Sequence, residues 1–211
     1  DHGVIYGGRG LVFDGVVDYL DIGDPLQSVW QSPFTVSLWA KPDDGQPAAD
    51  EYLCGLANTD GDDRFYILIK DDGFLQVRYK SANVESNYAK TNLSVLANGQ
   101  ETWRHFVATV DTSLIKIYLD GELQVLEGSK DGGMGIAVMS AFETTYNLWI
   151  GDNNDVGTSS GPFAGVMSDF KIFNTVLTEA QIQELYLKPE QSAPSAVRDN
   201  LVAWYPMCEG N

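Results

Sequence analysis

The strongest constraint on the fold is a two-residue alternation of apolar and polar side chains that recurs along most of the chain. In PFTVSLWAK (33–41), every second residue from Phe34 to Ala40 is apolar. Successive side chains of a β-strand point to opposite faces, so the pattern predicts a strand with one buried face. The alternation also runs through RFYILIKDDGFLQVRYK (64–80) and HFVATVDTSLIKIYLDGELQ (105–124), where turn residues interrupt it. These two segments predict β-hairpins, and the chain as a whole predicts an all-β protein with antiparallel strands.

Helical periodicity stands out in one late segment. TEAQIQELYLK begins with Thr178, has Gln181 three residues on and is followed by Pro189. That spacing is typical of a capping box at the start of a helix, and proline ends a helix. With 211 residues and 44% apolar content, the chain is long enough for one sandwich domain with a sizeable core.

The formal net charge of -17 limits the possible partners. Such a surface repels phosphate backbones and anionic lipid, which argues against nucleic acid as a partner. No apolar run reaches the roughly 18 residues of a membrane span, so membrane insertion is not expected. The acidity serves solubility, or it supplies the carboxylate oxygens that calcium prefers.

Four segments resemble, in order, the sequence blocks of laminin-G-like, concanavalin-type domains. They are GLVFDGVVDYLDIGD (10–24), FTVSLWAKPD (34–43), WRHFVATVDTSLIKIYLDGEL (103–123) and the closing block LWIGDN…FAGVMSDFKIFNTVLTEAQIQEL (148–185). The resemblance implies a two-sheet antiparallel jelly-roll sandwich with one short C-terminal helix. We place this jelly roll at residues 3–188 and a Pro/Ser/Ala linker at 189–199.

The segment NLVAWYPMCEGN (200–211) resembles the strand that usually precedes the FDG block of this family, but here it comes last. We interpret it as a displaced first strand that completes a sandwich. The sandwich is its own, that of a neighbouring subunit, or that of a following repeat. The spacing of Cys54 and Cys208 does not fit a zinc site, and the two residues form either a disulfide or two buried thiols.

The resemblance also implies a calcium ion at the rim of the sandwich. Carried over position by position, its ligands are Asp14, Asp18 and Asp169, with backbone carbonyls such as that of Gly15. Carboxylate and carbonyl oxygens from a hairpin and an edge strand can share a hard cation. The alternative is that Asp14 only forms a turn and Asp169 only faces water.

Two polar loops and one aromatic residue are candidates for ligand contact. Loops at the end of a sandwich often carry recognition, and Asn and Asp side chains can hydrogen-bond to sugar hydroxyls. The candidate residues are Asn58, Asp60, Asp62, Asn153, Asn154, Asp155 and Trp30. The alternative for the loops is a solvated hairpin end, and Trp149 is expected in the core rather than in a site.

Enzyme chemistry has little support in the sequence. Laminarinase-like hydrolases of this fold need an E-x-D strand that carries the acid and the nucleophile. No Glu in the chain is followed two residues later by Asp. We therefore predict a non-catalytic, calcium-stabilised glycan-binding or adhesion module of an extracellular or virion-surface protein. The alternative is a structural component that assembles through residues 200–211 without binding glycan, and a glycoside hydrolase comes third.

Overall fold

The computed structural model describes residues 9–23, 26–58, 63–81, 87–131, 139–143, 147–189 and 191–207. Within them, the strands form two sheets that pack face to face as a sandwich. The first sheet has seven strands, in the spatial order β1 (Leu11–Asp14), β15 (Ala164–Phe173), β3 (Phe34–Pro42), β8 (Arg104–Val110), β9 (Ile115–Leu119) and β10 (Glu122–Leu123), with β16 (Leu201–Tyr205) also paired to β15.

The second sheet has nine strands. Its main order is β11 (Leu126–Asp131), β7 (Asn87–Thr91), β6 (Leu75–Lys80), β5 (Arg64–Ile69), β4 (Glu51–Ala57), β12 (Trp149–Ile150) and β2 (Leu20–Asp21), while β13 (Asn153–Asp155) and β14 (Thr158–Ser159) branch from β4. Two short helices, α1 (Gln27–Trp30) and α2 (Glu179–Leu187), and two 3-10 turns, Met139–Ala141 and Ser195–Asn200, accompany the sheets. The fold is the predicted antiparallel jelly-roll sandwich.

The main core lies between the sheets, on the faces that the alternation predicts. In the nine-stranded sheet, directly paired residues of five neighbouring strands line up as one buried row: Ile150, Cys54, Ile67, Val77 and Ala89. Alternate residues of β3 from Phe34 to Ala40 oppose them from the other sheet. Because paired residues share a face, the residues in between lie on the outer face of the nine-stranded sheet. Cys54 is a buried free thiol, and Cys208 lies outside the described residues.

Helix α2 covers the outer face of the seven-stranded sheet. The predicted capping box is present: the Thr178 side chain accepts from the Gln181 amide, and the Gln181 side chain accepts from the Thr178 amide. Ile182 and Leu185 pack with Val107 of the sheet in a second, smaller apolar cluster. Ser37 and Trp39, on the same outer face of β3, are also buried, and Tyr186 of α2 stacks on the Trp39 ring.

Strands β1 and β16 lie end to end along one edge of β15. Strand β1 pairs with residues 164–167, and β16 pairs with residues 170–173. The Pro206 carbonyl accepts from the Asp169 amide (3.1 Å) and from Ser168 Oγ (2.9 Å). Gly10 packs against the carbonyl of Met167. The last residues of β16 therefore meet the first residues of β1 opposite Ser168, and the C-terminal strand pairs within its own chain.

The segment predicted as an irregular linker is more ordered than expected. Ser195–Asn200 forms a 3-10 turn, and Ala193 and Val197 are buried in the cluster beneath α2. Among the described residues, no helix is long and apolar enough to cross a membrane.

Candidate functional site

Asp14 and Asp18 build the turn between β1 and β2. Asp14 Oδ1 accepts from the amides of Val16 (2.8 Å), Val17 (2.9 Å) and Asp18 (3.2 Å). In return, Asp18 Oδ2 accepts from the amide of Asp14 (3.1 Å). The hydrogen bonds from these backbone amides, of which that from Val17 has the largest effect, hold the pKa of Asp14 below its ordinary value of 3.8. Asp14 therefore already uses one oxygen to shape the turn.

The structure does not bring Asp169 together with these two carboxylates. Asp14 is paired with Ala164, and Asp169 lies five residues further along β15, which places it about 16 Å away at about 3.3 Å per residue. Asp169 is 3% exposed, and its carboxylate binds the Lys171 ammonium and Trp204 Nε1 (2.7 Å).

The three carboxylates therefore do not fit one shared calcium ion. The expected ligand set is wrong, because the side chain of Lys171 supplies the positive charge beside Asp169. In the described part of the chain, no group of three or more His, Cys, Asp or Glu side chains could hold a metal ion. Calcium binding elsewhere on the protein stays a prediction.

Trp30 is not a contact residue. It is the last residue of α1, not part of a loop, and is 1% exposed. Its ring stacks on Phe65 with a centroid distance of 5.3 Å, and its carbonyl accepts from the Tyr79 hydroxyl at 2.6 Å. The short apolar helix buries Trp30 in the main core, where no ligand in solution can reach it.

The two predicted polar loops converge at one end of the nine-stranded sheet. Strand β13 runs parallel beside β4, with Asn153 paired to Gly55 and Asn154 to Leu56, so it points along β4 toward Asn58. Asn58 Nδ2 donates to Asp63 Oδ2 (3.2 Å), which closes the hairpin between β4 and β5. Asp60 and Asp62 lie outside the described residues.

Within the second loop, two side chains hold the backbone in place. Asn154 Nδ2 donates to the carbonyl of Asn147 (2.8 Å), and its Oδ1 accepts from the amide of Gly157 (2.9 Å). Asp152 Oδ1 accepts from the amides of Ser160 and Gly161 and so closes the base of the β13–β14 hairpin. Asn154 is buried and Asp155 half-buried, so of the two only Asp155 offers much of its side chain to a ligand.

Beside this loop, Tyr19 and Trp149 form a stacked pair that we call the aromatic platform. The ring centroids are 3.9 Å apart and the planes differ by 17°. Trp149 is 7% exposed, whereas Tyr19 is 44% exposed and presents its ring to solvent. A cavity of about 200 Å³ lies next to it, lined by the first three residues of β1 together with Asp18, Tyr19 and Leu20.

Polar groups surround the aromatic platform, and some of them make no hydrogen bond. Trp149 Nε1 and Asn153 Oδ1 are buried without a partner in the described part of the chain. Both residues adjoin Gly55, where an added Cβ would come within 2.2 Å of Asn153 Oδ1. Asn147 Nδ2 donates to Asp21 Oδ2 (3.1 Å) at the rim. Unpaired buried polar atoms of this kind call for a water molecule or a ligand group.

The outer face of the nine-stranded sheet continues from the aromatic platform as a row of paired residues. In order across the sheet, the row is Trp149, Gly55, Tyr66, Arg78 and Tyr88. Tyr66 Oη accepts from Gln76 Nε2 (3.2 Å) and lies 3.5 Å from Arg78 Nη1. Tyr52 packs edge-on against Tyr66, with ring centroids 5.1 Å apart, and burial raises the pKa of the Tyr52 phenol.

Tyr19 was missed at the sequence level because it lies between strands. The five residues after Gly15 follow no alternation. The available signal is an aromatic residue inside an acidic turn, flanked by Asp18 and Asp21. Arg78 was missed because it reads as an ordinary polar position of an alternating strand.

The Ser–His contact in the protein is not a reactive site. Ser37 Oγ and His105 Nε2 are 2.8 Å apart, but both residues are buried in the sheet. Burial, with the nearby Lys171 charge, lowers the pKa of His105 to about 3. Trp39 and Tyr186 of α2 stack on the imidazole, so a substrate has no path to the hydroxyl.

The family model of the concanavalin A-like lectin/glucanases superfamily, Laminin_G_3, matches residues 14–183, and the chain therefore belongs to this superfamily. Adhesion G-protein coupled receptor V1 of Danio rerio is 23% identical over 163 residues. That match covers 75% of this chain but 2% of the receptor, so the chain spans a small fraction of its relative.

Solved structures share the fold at low sequence identity. The CBM40 domain of the Ruminococcus gnavus IT-sialidase, bound to α2,3-sialyllactose, matches with a TM-score of 0.68 and 14% identity, covering 84% of this chain and 96% of that one. The K499G mutant of the NanB sialidase from Streptococcus pneumoniae matches with a TM-score of 0.67 and 18% identity. That match covers 83% of this chain and 27% of the sialidase chain.

Proposed function

We propose that this chain is a non-catalytic glycan-binding module of the adhesion type and that it binds sugar at the aromatic platform. The observation that carries the proposal is the half-exposed Tyr19 ring stacked on Trp149 beside unpaired polar atoms. Membership of a lectin/glucanase superfamily and the CBM40 neighbour bound to sialyllactose support it. The relative named as an adhesion receptor supports a setting outside the cell.

The geometry accounts for recognition without catalysis. An aromatic ring offers an apolar face with a negative quadrupole, against which the C–H face of a pyranose can pack. Asp18, at the edge of the ring, can accept a hydrogen bond from a sugar hydroxyl, as can Asn147. Because Trp149 backs Tyr19, the ring is held in place before binding, which lowers the entropic cost of complex formation. The proposed mechanism has no step that depends on calcium.

The test is a glycan array that includes lactose and the two sialyllactoses, followed by titration of the best ligand. We expect Tyr19→Ala to weaken binding about tenfold or more, since stacking and packing of one aromatic contribute about 1–3 kcal/mol. Tyr19→Phe keeps the ring and should retain most of the affinity. Leu123→Ala, an exposed apolar position on the far edge of the other sheet, is the matched control.

Two results would overturn the proposal. One is that the wild-type protein binds no glycan on the array, and the other is that Tyr19→Ala binds as tightly as wild type. Release of new reducing ends from a bound oligosaccharide would show that the module is catalytic. No comparable observation favours assembly through the C-terminal strand, because β16 pairs with β15 of its own chain.

A further inference from the structure

We propose that the glycan bound here carries an anionic group and that Arg78 is the residue that recognises it. This inference rests on the proposed function and adds the chemical class of the ligand. It comes from the row of paired residues that begins at the aromatic platform, and from an arginine on this face that has no counter-charge among the described residues of a strongly acidic protein.

The first step is that Arg78 and the aromatic platform share one face. Trp149 is paired to Gly55, Gly55 to Tyr66, and Tyr66 to Arg78. Directly paired residues of neighbouring strands point to the same side of a sheet. Three strand spacings separate Trp149 from Arg78, which is about 14 Å. Tyr66, which lies between them, is 6% exposed, so the reach of an oligosaccharide from Tyr19 to the guanidinium is part of the proposal.

The second step is the charge state of this arginine. Five other basic side chains of the described chain form ion pairs: Lys70–Asp50, Lys90–Asp72, Arg104–Asp120, Lys171–Asp169 and Lys188–Glu184. Arg78 is partly exposed and forms no ion pair with any described residue. Its contacts are the Tyr66 hydroxyl, 3.5 Å from Nη1, and the Tyr66 ring, whose centroid is 6.0 Å away. Its Nε is buried without a partner.

A chain with 30 acidic and 13 basic residues has ample carboxylates to neutralise an arginine. Arg78 is instead held by an aromatic ring, which positions the guanidinium without satisfying its charge. The planar guanidinium fork binds a carboxylate or a sulfate through two parallel hydrogen bonds, a geometry that lysine cannot supply. The neighbouring Gln76 can hydrogen-bond to adjacent hydroxyls.

The rest of the surface narrows the ligand class further. A net charge of -17 repels polyanions over the length scale set by salt. Arg78 shares its face of the sheet with Arg64, Lys80 and Lys90. The net charge of the whole protein nevertheless favours an oligosaccharide with a single anionic group over a densely charged polymer. The same chemistry is offered by a sugar carboxylate and by a sugar sulfate.

The experiment varies the ligand and the protein separately. The ligands are 3'-sialyllactose, the same compound with its carboxyl group reduced to an alcohol, 3-O-sulfated lactose and lactose. The proteins are wild type, Arg78→Gln, Arg78→Lys and the control Arg198→Gln, which removes an exposed arginine from the 3-10 turn beneath the other sheet. Affinities are measured by calorimetry at fixed salt, after melting curves show that each variant is folded.

We expect the wild type to bind at least one of the two acidic ligands about ten- to a hundredfold more tightly than the uncharged ones, the range given by a charge-assisted hydrogen bond. Arg78→Gln should lose that preference and keep the affinity for lactose, Arg78→Lys should keep part of it, and Arg198→Gln should behave as wild type. If sialyllactose is the tighter ligand, the anionic group is a carboxylate; if sulfated lactose is tighter, it is a sulfate.

The inference is overturned if the wild type binds the reduced ligand and lactose as tightly as the acidic ones, a comparison that needs no folded variant. It is also overturned if Arg78→Gln, folded, retains the preference. In both cases the proposed function stands, because sugar is still bound. Failure to bind any of the four ligands or any other array glycan instead removes the proposed function, and this inference with it.

Discussion

At the scale of single residues, the buried ion pair of Lys171 and Asp169 is the clearest departure from what the family pattern implies. Both side chains are almost fully buried, and Trp204 donates to the carboxylate while its ring lies 5.4 Å from the ammonium. A buried charge persists only when it is paired and hydrogen-bonded. Here the pairing is internal to β15 and β16.

Replacing Asp169 with Ala should therefore destabilise the protein by about 3–5 kcal/mol, because it leaves the Lys171 ammonium buried without a counter-charge. Denaturant unfolding measures the loss. It should be the same with calcium and with EDTA, since Lys171 and Trp204 already bind the carboxylate. Adding Lys171→Met to the variant should recover part of the stability. A loss confined to calcium-containing buffer would contradict this account.

The pH dependence of stability follows from His105. Its pKa lies at about 3 in the folded protein, below the ordinary value of 6.5. Between these values the unfolded chain binds a proton that the folded protein does not, so stability falls as pH falls through this window. His105→Gln should flatten that part of the curve of unfolding free energy against pH.

The control for this experiment is Ser37→Ala, which keeps the buried imidazole and should keep the slope. Burial raises the pKa of Glu51 to about 7, which acts in the opposite direction because the folded protein then holds the extra proton. Wild type and variant share this contribution, so it cancels in the comparison. An unchanged slope in His105→Gln would show that the imidazole does not titrate differently in the two states.

What the sequence could reveal at this scale depended on whether a side chain's partners lie close to it in the chain. The Thr178–Gln181 capping box was predictable because both partners lie within one turn of helix. Asp169 was placed correctly on its strand, but its partner Trp204 lies 35 residues away. The Tyr19–Trp149 stack joins a turn to a strand 130 positions later, which no local pattern reports.

At the scale of elements, the hairpins predicted from alternation and turn residues are confirmed by the pairing of β5 with β6 and of β8 with β9. The two-residue strands β2, β10, β12 and β14 are too short to show a period. Their positions depend on neighbours already in the sheet. Trp30 was misplaced for a related reason, because a four-residue helix leaves no periodic signature.

Strand β16 makes an element-scale prediction. It covers half of the β15 edge, and its Trp204 binds the buried Asp169. Deleting residues 200–211 should expose unpaired backbone groups of residues 170–173 and leave the ion pair open to water. We expect a lower melting temperature and concentration-dependent association, measured by calorimetry and by light scattering.

A shorter deletion, of residues 208–211 alone, is the control, since it leaves the pairing with β15 in place. If the longer deletion yields a monomer with the melting temperature of wild type, β16 contributes nothing to this domain. The strand would then have to be assigned to another chain or to a following repeat.

At the scale of the whole molecule, the fold was predictable because four sequence blocks in fixed order specify its layers together. The site was less predictable. The two polar loops were identified, and the pairing of β13 with β4 explains why they converge. The aromatic platform and Arg78 lie on the outer face of a sheet. Alternation predicts that a residue points outward, but it does not predict which residues of other strands lie beside it.

Because the end of β16 lies next to the start of β1, the order of the two strands along the chain can be changed and tested. Moving residues 200–211 ahead of residue 1 makes the strand lead into β1 through residues 208–211 and 1–8, in the order usual for the family. The permuted chain should melt within a few degrees of wild type and give the same glycan affinity, because every pairing of β15 is kept. A permuted chain that fails to fold would show that the two strands cannot be linked across Ser168.

This meeting of the two strand ends also has a mechanical consequence. A pull on the two ends of the described chain enters the fold at almost one point, so the intact domain adds little length along the line of force. If the whole domain unfolds after these strands separate from β15, roughly 200 residues at about 3.3–3.6 Å each extend to on the order of 700 Å. Such a module has a short end-to-end distance at low force and a long one when the force is high enough to unfold it.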